Sequence, residues 1–432
     1  MNRERETRTF FRQSGWMVAA STFSGVFMYA THFVAQAKMS QSEYGLFGTL
    51  LGTLSLLGIP TIGIQILFTR QFAVAVTDEE RRRAANVART FLVGFLFLWL
   101  ALASVVLMQR QAIAEMWRLP RLTGLWITVL AALPALWLPV VSGILQGQQD
   151  FLWLGWSAIT NGVGRFVVAA VAVALLTAES TGAMGGVIAG MVVGLAIGVW
   201  KTPEIWRSGP IDLAWKSALA DAMPLTLGLG TVQLMMWLDL QIVKARFHDE
   251  AVGAYAAAET VARGIIFFTG PIVAVMLPKI ARSKAMASGS NALSITLLAT
   301  AVLGGAAALA CTIVPELPFR IVNPSYVWIA PLLPLFAWCM LPIIFSTVLL
   351  GNFMARAEYK IVPWLVLLAA AYAGTLSYAI PYEPTAGANT PEAMLGFRFV
   401  VKIIGLFNLG FLGILVWWEL RGRALRREVG TA

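Results

Sequence analysis

The sequence predicts an all-α membrane protein with 12 transmembrane helices in two six-helix lobes related by a parallel duplication. The 432 residues are 58% hydrophobic and only 12% charged, whereas soluble domains carry about 25% charged residues. Apolar stretches of about 20 residues, long enough for a helix to cross the hydrocarbon core, recur along the chain. Matching motifs also recur at one constant spacing. These three observations together define the predicted fold class.

The apolar stretches give 12 predicted spans, separated by charged residues or by Gly and Pro breaks. We expect helices because hydrocarbon offers backbone groups no hydrogen-bond partners. The predicted spans are residues 14–37, 46–68, 86–108, 122–146, 151–177, 183–200, 217–244, 254–277, 291–315, 327–354, 361–380 and 396–418.

Motifs in the first half of the chain recur 208 positions later. Gly45, within Glu43–Phe47, corresponds to Gly253, within Ala251–Tyr255. The same spacing relates Lys38 to Arg246, Pro134 to Pro342, Gly143 to Gly351 and Asp150 to Glu358. Such self-similarity indicates duplicated architecture, which is common in membrane transporters. We therefore predict lobes at residues 1–208 and 209–432.

Lys and Arg in the short loops predict the orientation in the membrane. With the N-terminus inside, 21 of these residues lie on the cytoplasmic side and 7 on the other side. Both termini are therefore expected in the cytoplasm, and six helices per lobe give the two lobes the same orientation. The first apolar stretch is too long for a cleavable signal and is expected to be an uncleaved one. These basic loops account for the net charge of +10 without nucleic-acid binding.

Arg165 is the most deeply placed charge, near the middle of the fifth span between Gly164 and Phe166. A charge at this depth costs about 2.5–3.5 kcal/mol and commonly marks a functional site. The structural alternative is an arginine capped by backbone carbonyls. We predict that Arg165 binds substrate.

Asp239, Glu259 and Arg263 form a second candidate group, in the seventh and eighth spans. Glu259 and Arg263 are one helical turn apart and share a face. The functional interpretation is a cationic anchor for substrate whose acidic neighbours help release it. The structural interpretation is an ion-pair cluster that holds one lobe together, and the two interpretations are compatible.

Arg398 and Lys402, one turn apart in the twelfth span, place like charges on one face. An anionic ligand would relieve their repulsion, although snorkelling towards the interface also explains Arg398. We include both residues in the predicted substrate site. His32, in the first span, is expected to be a hydrogen-bonded interior residue.

Other chemistry has no support in the sequence. A Walker phosphate-binding loop is absent, and His32 and His248, the two histidines, form no metal-binding set with Cys311 and Cys339. We therefore predict no cofactor, no metal and no enzymatic activity.

Three segments resemble the polysaccharide-biosynthesis flippases, which export O-antigens and lipid-linked oligosaccharides. They are Glu43–Phe47 with the long apolar hairpin that follows, Gly143–Phe151, and Asp239–Arg263. The similarity covers most of the chain in the family's order. That family belongs to one superfamily with the lipid II flippases and the multidrug and toxin extrusion transporters.

The resemblance implies two six-helix lobes around a cationic cavity that receives the pyrophosphate and sugar of an undecaprenyl-linked substrate by alternating access. Arg263 matches the family pattern as a cavity residue, whereas the loop at 381–395 and the Arg398–Lys402 pair depart from it. The implied setting is a bacterial inner membrane. The expected partners are the lipid-linked saccharide, membrane lipids and a coupling ion (H⁺ or Na⁺), with a monomer working beside a glycan polymerase or ligase.

Two alternatives remain. An ion-coupled exporter of small cationic compounds would need an acidic cavity, and the candidate residues carry more basic than acidic groups. A membrane-embedded glycan polymerase would need a substantial outer loop with catalytic residues, and the predicted outer loops are short.

Overall fold

The computed structural model describes residues 2–207, 209, 214–265, 292–380 and 388–430. In these ranges the regular structure is helical and no β-strand is found. Ten of the described helices are long and apolar enough to cross a membrane, or 11 if one bent pair of helices is counted as a single span. The chain is therefore a multi-pass membrane protein.

The chain folds into two compact units, Met1–Thr226 and Leu227–Ala432. The helices of the first unit are α1 (Asn2–Lys38), α2 (Gln41–Leu57), α3 (Ile59–Val74), α4 (Asp78–Met108), α5 (Arg110–Met116), α6 (Thr123–Gly147), α7 (Phe151–Ala174), α8 (Glu179–Lys201) and α9 (Pro203–Arg207).

The next helix, α10 (Trp215–Arg246), begins in the first unit and ends in the second. The second unit continues with α11 (described over residues 249–265), α12 (Ala292–Ile313), α13 (Leu317–Val322), α14 (Leu333–Ala355), α15 (Val362–Ala379) and α16 (Pro391–Gly430). Short 3₁₀ helices at Pro324–Leu332 and Tyr359–Ile361 precede α14 and α15.

The second predicted span is not one straight helix. α2 and α3 meet at Gly58 with a bend of 46°. Pro60 lies in the first turn of α3, where a missing backbone N–H costs nothing because that group has no helical acceptor. The predicted span 46–68 is therefore formed by two helices, α2 and α3, joined at Gly58. The predicted span 254–277 begins earlier, at residue 249, and its part beyond residue 265 lies outside the described residues.

The first half of α10 belongs to the core of the first unit. Ala218 and Ala222 pack in one hydrophobic cluster with Phe68 of α3 and Val140 of α6. A Cβ on Gly63 of α3 would lie 2.6 Å from the backbone nitrogen of Thr226, so α3 and α10 pack closely because that side chain is absent. This packing places the boundary between the two units inside α10. The predicted lobe boundary at 208 concerns the sequence repeat and stays a prediction.

Two helix ends, 208 positions apart, have the same geometry. After α6, Gln149 has a φ of 59° and the Asp150 amide donates to the Leu145 carbonyl at 2.9 Å. After α14, Ala357 has a φ of 57° and the Glu358 amide donates to the Phe353 carbonyl at 3.1 Å. Both are Schellman-type ends, which normally favour glycine at the left-handed position.

A side chain in each turn also contacts a glutamate carboxylate further along its own unit. Gln148 donates to Glu204 of α9, and Arg356 forms an ion pair with Glu419 of α16. The two turns therefore use the same type of contact, with an amide in the first unit and a guanidinium in the second.

Candidate functional site

A ridge of glycines on α8 sets the environment of Arg165. Gly182, Gly186, Gly190, Gly194 and Gly198 recur every four residues, so they lie along one face of the helix. A Cβ on Gly186 would lie 2.6 Å from the Arg165 carbonyl oxygen, and one on Gly194 would lie 2.8 Å from the Ser157 carbonyl oxygen. The backbones of α7 and α8 therefore pack together without intervening side chains, as small residues allow in membrane helices.

This close packing buries Arg165, which is only 7% exposed. A Cβ on Gly190 would lie 2.8 Å from the Arg165 backbone nitrogen. The Nε atom of Arg165 has no hydrogen-bond partner, and no carboxylate pairs with its guanidinium among the described side chains. The first unit thus contains a buried cation with no acidic partner among the described side chains.

A small polar network adjoins Arg165. Tyr44 of α2 lies close enough to interact with it electrostatically. Gln36 of α1 donates to the Tyr44 hydroxyl at 2.8 Å, and His32 Nδ1 lies 3.2 Å from the same oxygen. His32 is therefore half-buried and within hydrogen-bonding distance of Tyr44, which agrees with the predicted hydrogen-bonded residue. These contacts fix the Tyr44 phenol, and with it the polar surroundings of Arg165.

The second unit brings Asp239, Glu259 and Arg263 together. Arg263 Nη2 donates to Asp239 Oδ1 at 3.0 Å, which joins α11 to α10. The same nitrogen pairs with Glu259 one turn earlier on α11. Asp239 and Glu259 are 1% and 2% exposed. One guanidinium thus faces two buried carboxylates, which leaves this cluster one formal negative charge when both acids are ionised.

Aromatic side chains complete the cluster. Tyr255 donates its hydroxyl to Asp239 Oδ2 at 2.9 Å. The ring of Trp237 lies 4.5 Å from the guanidinium carbon of Arg263, within the range of a cation–π interaction. Both oxygens of Asp239 therefore have partners. Of the two interpretations derived from the sequence, this geometry matches the ion-pair cluster within one unit.

Arg398 and Lys402 are not part of either cluster. Both side chains are exposed on α16, and neither forms an ion pair with another described residue. Arg165 is buried, whereas these two side chains are exposed. Arg263 has carboxylate partners, whereas these two have none among the described residues. The six predicted site residues therefore form three groups by their contacts: Arg165 alone, the ion-paired Asp239, Glu259 and Arg263, and the exposed Arg398 and Lys402.

Two features escaped the sequence reasoning. The glycine ridge on α8 had a readable signal, its strict four-residue spacing. The second is Lys244, which is 1% exposed and donates to Asp249 Oδ1 at 2.7 Å across the turn between α10 and α11. The five-residue spacing of this pair gives no helical signal, so only the fold reveals it.

No group of three metal-ligating side chains is found in the part of the chain that the structure describes. The candidate site thus consists of charged and polar side chains whose chemistry is ion pairing and hydrogen bonding.

Solved membrane transporters have the same fold. An inward-facing multidrug resistance MATE family transporter of the MOP superfamily matches with a TM-score of 0.71 and 13% identity, covering 96% of this chain and 99% of its own. The lipid II flippase MurJ, in an inward closed conformation, matches with a TM-score of 0.68 and 12% identity, covering 93% and 90%. A MATE structure in complex with MaD3S gives a TM-score of 0.63 and 15% identity, covering 96% of each chain. At these identities the likeness establishes the fold.

The family is established by sequence. Residues 5–284 match the family model described as polysaccharide biosynthesis protein. Because the match covers more than half of the chain, the protein belongs to this family. No curated protein matches it.

Proposed function

We propose that the protein is a flippase that moves an undecaprenyl-pyrophosphate-linked saccharide across a bacterial inner membrane by alternating access. A charged headgroup does not cross hydrocarbon unaided, and a guanidinium binds phosphate with paired hydrogen bonds. The observation that carries the proposal is Arg165, a buried cation of a membrane helix with no acidic partner among the described residues. An anionic headgroup would supply the missing partner.

Burial of Arg165 fits a transporter that changes conformation. The side chain is enclosed in the conformation described, so a headgroup would contact it only in a state in which α7 is more accessible. Alternating access provides such states. The cost of placing a charge in the membrane, about 2.5–3.5 kcal/mol on insertion scales, is then partly offset whenever substrate is bound.

Arg263 has a different proposed role. Asp239 and Glu259 already neutralise it, so a phosphate would have to replace a carboxylate partner. We propose that Asp239, Glu259 and Arg263 act as a gate in which the arginine exchanges carboxylate for substrate. Arg398 and Lys402 would provide further cationic contacts.

The proposed architecture is 12 helices in two duplicated lobes. Its support is the pair of helix ends at Gly147 and Ala355, which share a left-handed residue and the same hydrogen bond. The starts of α2 and α11, at residues 41 and 249, have the same spacing of 208. With six helices per lobe and basic cytoplasmic loops, both termini would be cytoplasmic.

The proposed partners are the lipid-linked saccharide, surrounding lipids and a coupling ion, H⁺ or Na⁺. We propose a monomer that passes its product to a glycan polymerase or ligase and has no enzymatic step of its own. The supporting observations are the family membership and the fold shared with MATE transporters and MurJ.

A headgroup-translocation assay in proteoliposomes tests the proposal. Wild type would be compared with Arg165→Ala, Arg165→Lys and the control Arg320→Ala, which removes an exposed arginine paired with Glu316. We expect transport of an undecaprenyl-pyrophosphate glycan by wild type and the control. Arg165→Ala should lose at least tenfold in rate, since a charged hydrogen bond contributes about 1.5–3 kcal/mol. Arg165→Lys should retain part of the activity.

Normal transport by a well-folded Arg165→Ala variant would remove Arg165 from the mechanism. Absence of transport by wild type with several glycans would reject the flippase itself.

A second candidate function is ion-coupled export of small cationic compounds. It is favoured by the two carboxylates that outnumber Arg263 in their cluster, because an acidic cluster attracts cations. Uptake of a cationic dye against an ion gradient, lost in Asp239→Asn, would support this alternative.

A further inference from the structure

One stripe of α16 faces away from the packing of its own unit. The opposite face is buried, with Phe397, Val400 and Ile404 almost fully covered. Exposed side chains recur every three or four residues and so lie within one helical stripe. The stripe consists of Leu395, Arg398, Phe399, Lys402, Leu406, Leu409, Val416, Trp417 and Leu420. Every member except Arg398 and Lys402 is apolar.

The two cations lie near one end of the apolar stripe. Trp417 and Trp418 precede Arg421 at the other end of the span, and tryptophans favour the membrane interface. Arg398 is 20 residues before Trp418, a separation of about 30 Å along a helix. This equals the hydrocarbon thickness of about 30 Å. Arg398 is therefore placed at the opposite membrane boundary, with Lys402 one turn deeper.

No ion pair compensates the charges of Arg398 and Lys402 among the residues that the structure describes. Both side chains are exposed. Like charges four residues apart on a helix repel each other. A ligand with at least two negative charges would compensate both cations at once. The apolar side chains beyond Lys402 would at the same time contact a hydrocarbon chain.

We propose that Arg398 and Lys402 bind the pyrophosphate of a polyprenyl lipid while its chain lies along Leu406, Leu409 and Val416. The proposal rests on the proposed function for the identity of the lipid. Two cations match a pyrophosphate better than the single charge of a common phospholipid, and arginine binds phosphate through paired donors. By the predicted orientation this end of α16 is outside, so the site holds the lipid after its headgroup has crossed.

An equilibrium binding experiment separates this site from transport. Undecaprenyl pyrophosphate without a glycan would be titrated into purified protein in detergent, followed by native mass spectrometry. The variants are Arg398→Gln/Lys402→Gln and the control Arg320→Gln. We expect the Kd to rise at least tenfold in the double variant and to stay unchanged in the control. Arg398→Lys, which keeps the charge, should bind more tightly than the double variant.

Two further probes define the ligand chemistry. Undecaprenol, which lacks phosphate, should bind weakly and equally to wild type and double variant. Phosphatidylglycerol should not displace the pyrophosphate at equal concentration. Equal pyrophosphate affinity in wild type and in a monodisperse double variant would overturn the proposal and leave snorkelling as the role of the pair. Effective competition by phosphatidylglycerol would overturn it in favour of a phospholipid site.

The outcome is independent of the transport assay. Loss of binding in the double variant together with absence of glycan transport by wild type would keep the lipid site and reject the proposed function. Unchanged binding in the double variant together with transport that depends on Arg165 would reject the lipid site and keep the proposed function.

Discussion

Each of the two units contains a largely enclosed arginine, Arg165 on α7 and Arg263 on α11, and the two arginines have opposite surroundings. Arg263 is held by Asp239 and Glu259 and stacks on Trp237. Arg165 has no carboxylate among the described residues and lies against the backbone of α8. The first arrangement uses the charge internally, whereas the second leaves it available to a ligand. Depth in the membrane alone therefore does not identify a binding residue.

The largest change in stability is expected at Arg263. Arg263→Met should lower the free energy of unfolding by about 3–5 kcal/mol, because it leaves two buried carboxylates without a counter-charge. Denaturant unfolding in mixed micelles would measure the change, with Arg320→Met as an exposed control. The triple variant Arg263→Met/Asp239→Asn/Glu259→Gln should recover most of the loss. A triple variant as unstable as the single one would show that the ion pairs are not the cause.

The same substitution at Arg165, which has no carboxylate partner among the described residues, should not lower the free energy of unfolding. Arg165→Met removes a charge whose presence in the membrane costs about 2.5–3.5 kcal/mol on insertion scales. We expect unfolding free energy to stay constant or rise by up to about 3 kcal/mol, while transport is lost. A clear loss of stability in the same micelle assay would show that Arg165, like Arg263, has a structural partner.

The glycine ridge provides a way to disturb Arg165 without changing it. Gly190→Ala places a methyl group 2.8 Å from the Arg165 backbone nitrogen, and such overpacking costs about 1–3 kcal/mol. Gly185→Ala, on the same helix, is the matched control because nothing lies within 4 Å of its Cβ. The melting temperature of Gly190→Ala should therefore be lower than that of Gly185→Ala. Equal melting temperatures would mean that α7 and α8 can separate without cost.

The smallest expected difference is between the tyrosines beside the two arginines. Tyr255→Phe removes a hydrogen bond to a carboxylate, which contributes about 1.5–3 kcal/mol. Tyr44→Phe removes contacts with the Gln36 and His32 side chains that involve no carboxylate, and a typical hydrogen bond contributes about 0.5–1.5 kcal/mol. Unfolding free energies should therefore fall more for Tyr255→Phe. The reverse order would indicate that Tyr44 supports Arg165 more strongly than its hydrogen bonds suggest.

Much of the helical architecture could be predicted because long apolar runs in a membrane have few structural solutions. The break at Gly58 was missed, since Gly and Pro are tolerated within many membrane helices and do not by themselves indicate a bend. Pro134 and Pro342, for example, lie inside continuous helices.

The contacts between the candidate residues were less predictable than the helices. The sequence placed Glu259 and Arg263 on one face, and the structure pairs them. It gave no means of deciding that Asp239 also reaches Arg263, because that contact joins two helices. For Arg165 the sequence indicated depth, but only the structure shows that no carboxylate among the described residues pairs with it.

The glycine ridge also bears on how the protein is synthesised. α7, which carries Arg165, is the less hydrophobic member of its pair, with a mean hydropathy of 1.5 against 2.0 for α8. Only four residues separate the two helices, and the ridge lets their backbones meet directly. We expect the pair to leave the translocon together as a hairpin, so that Arg165 enters the bilayer already covered by its neighbour. A side chain added to this ridge would then act first on insertion efficiency, before the rest of the unit has been made.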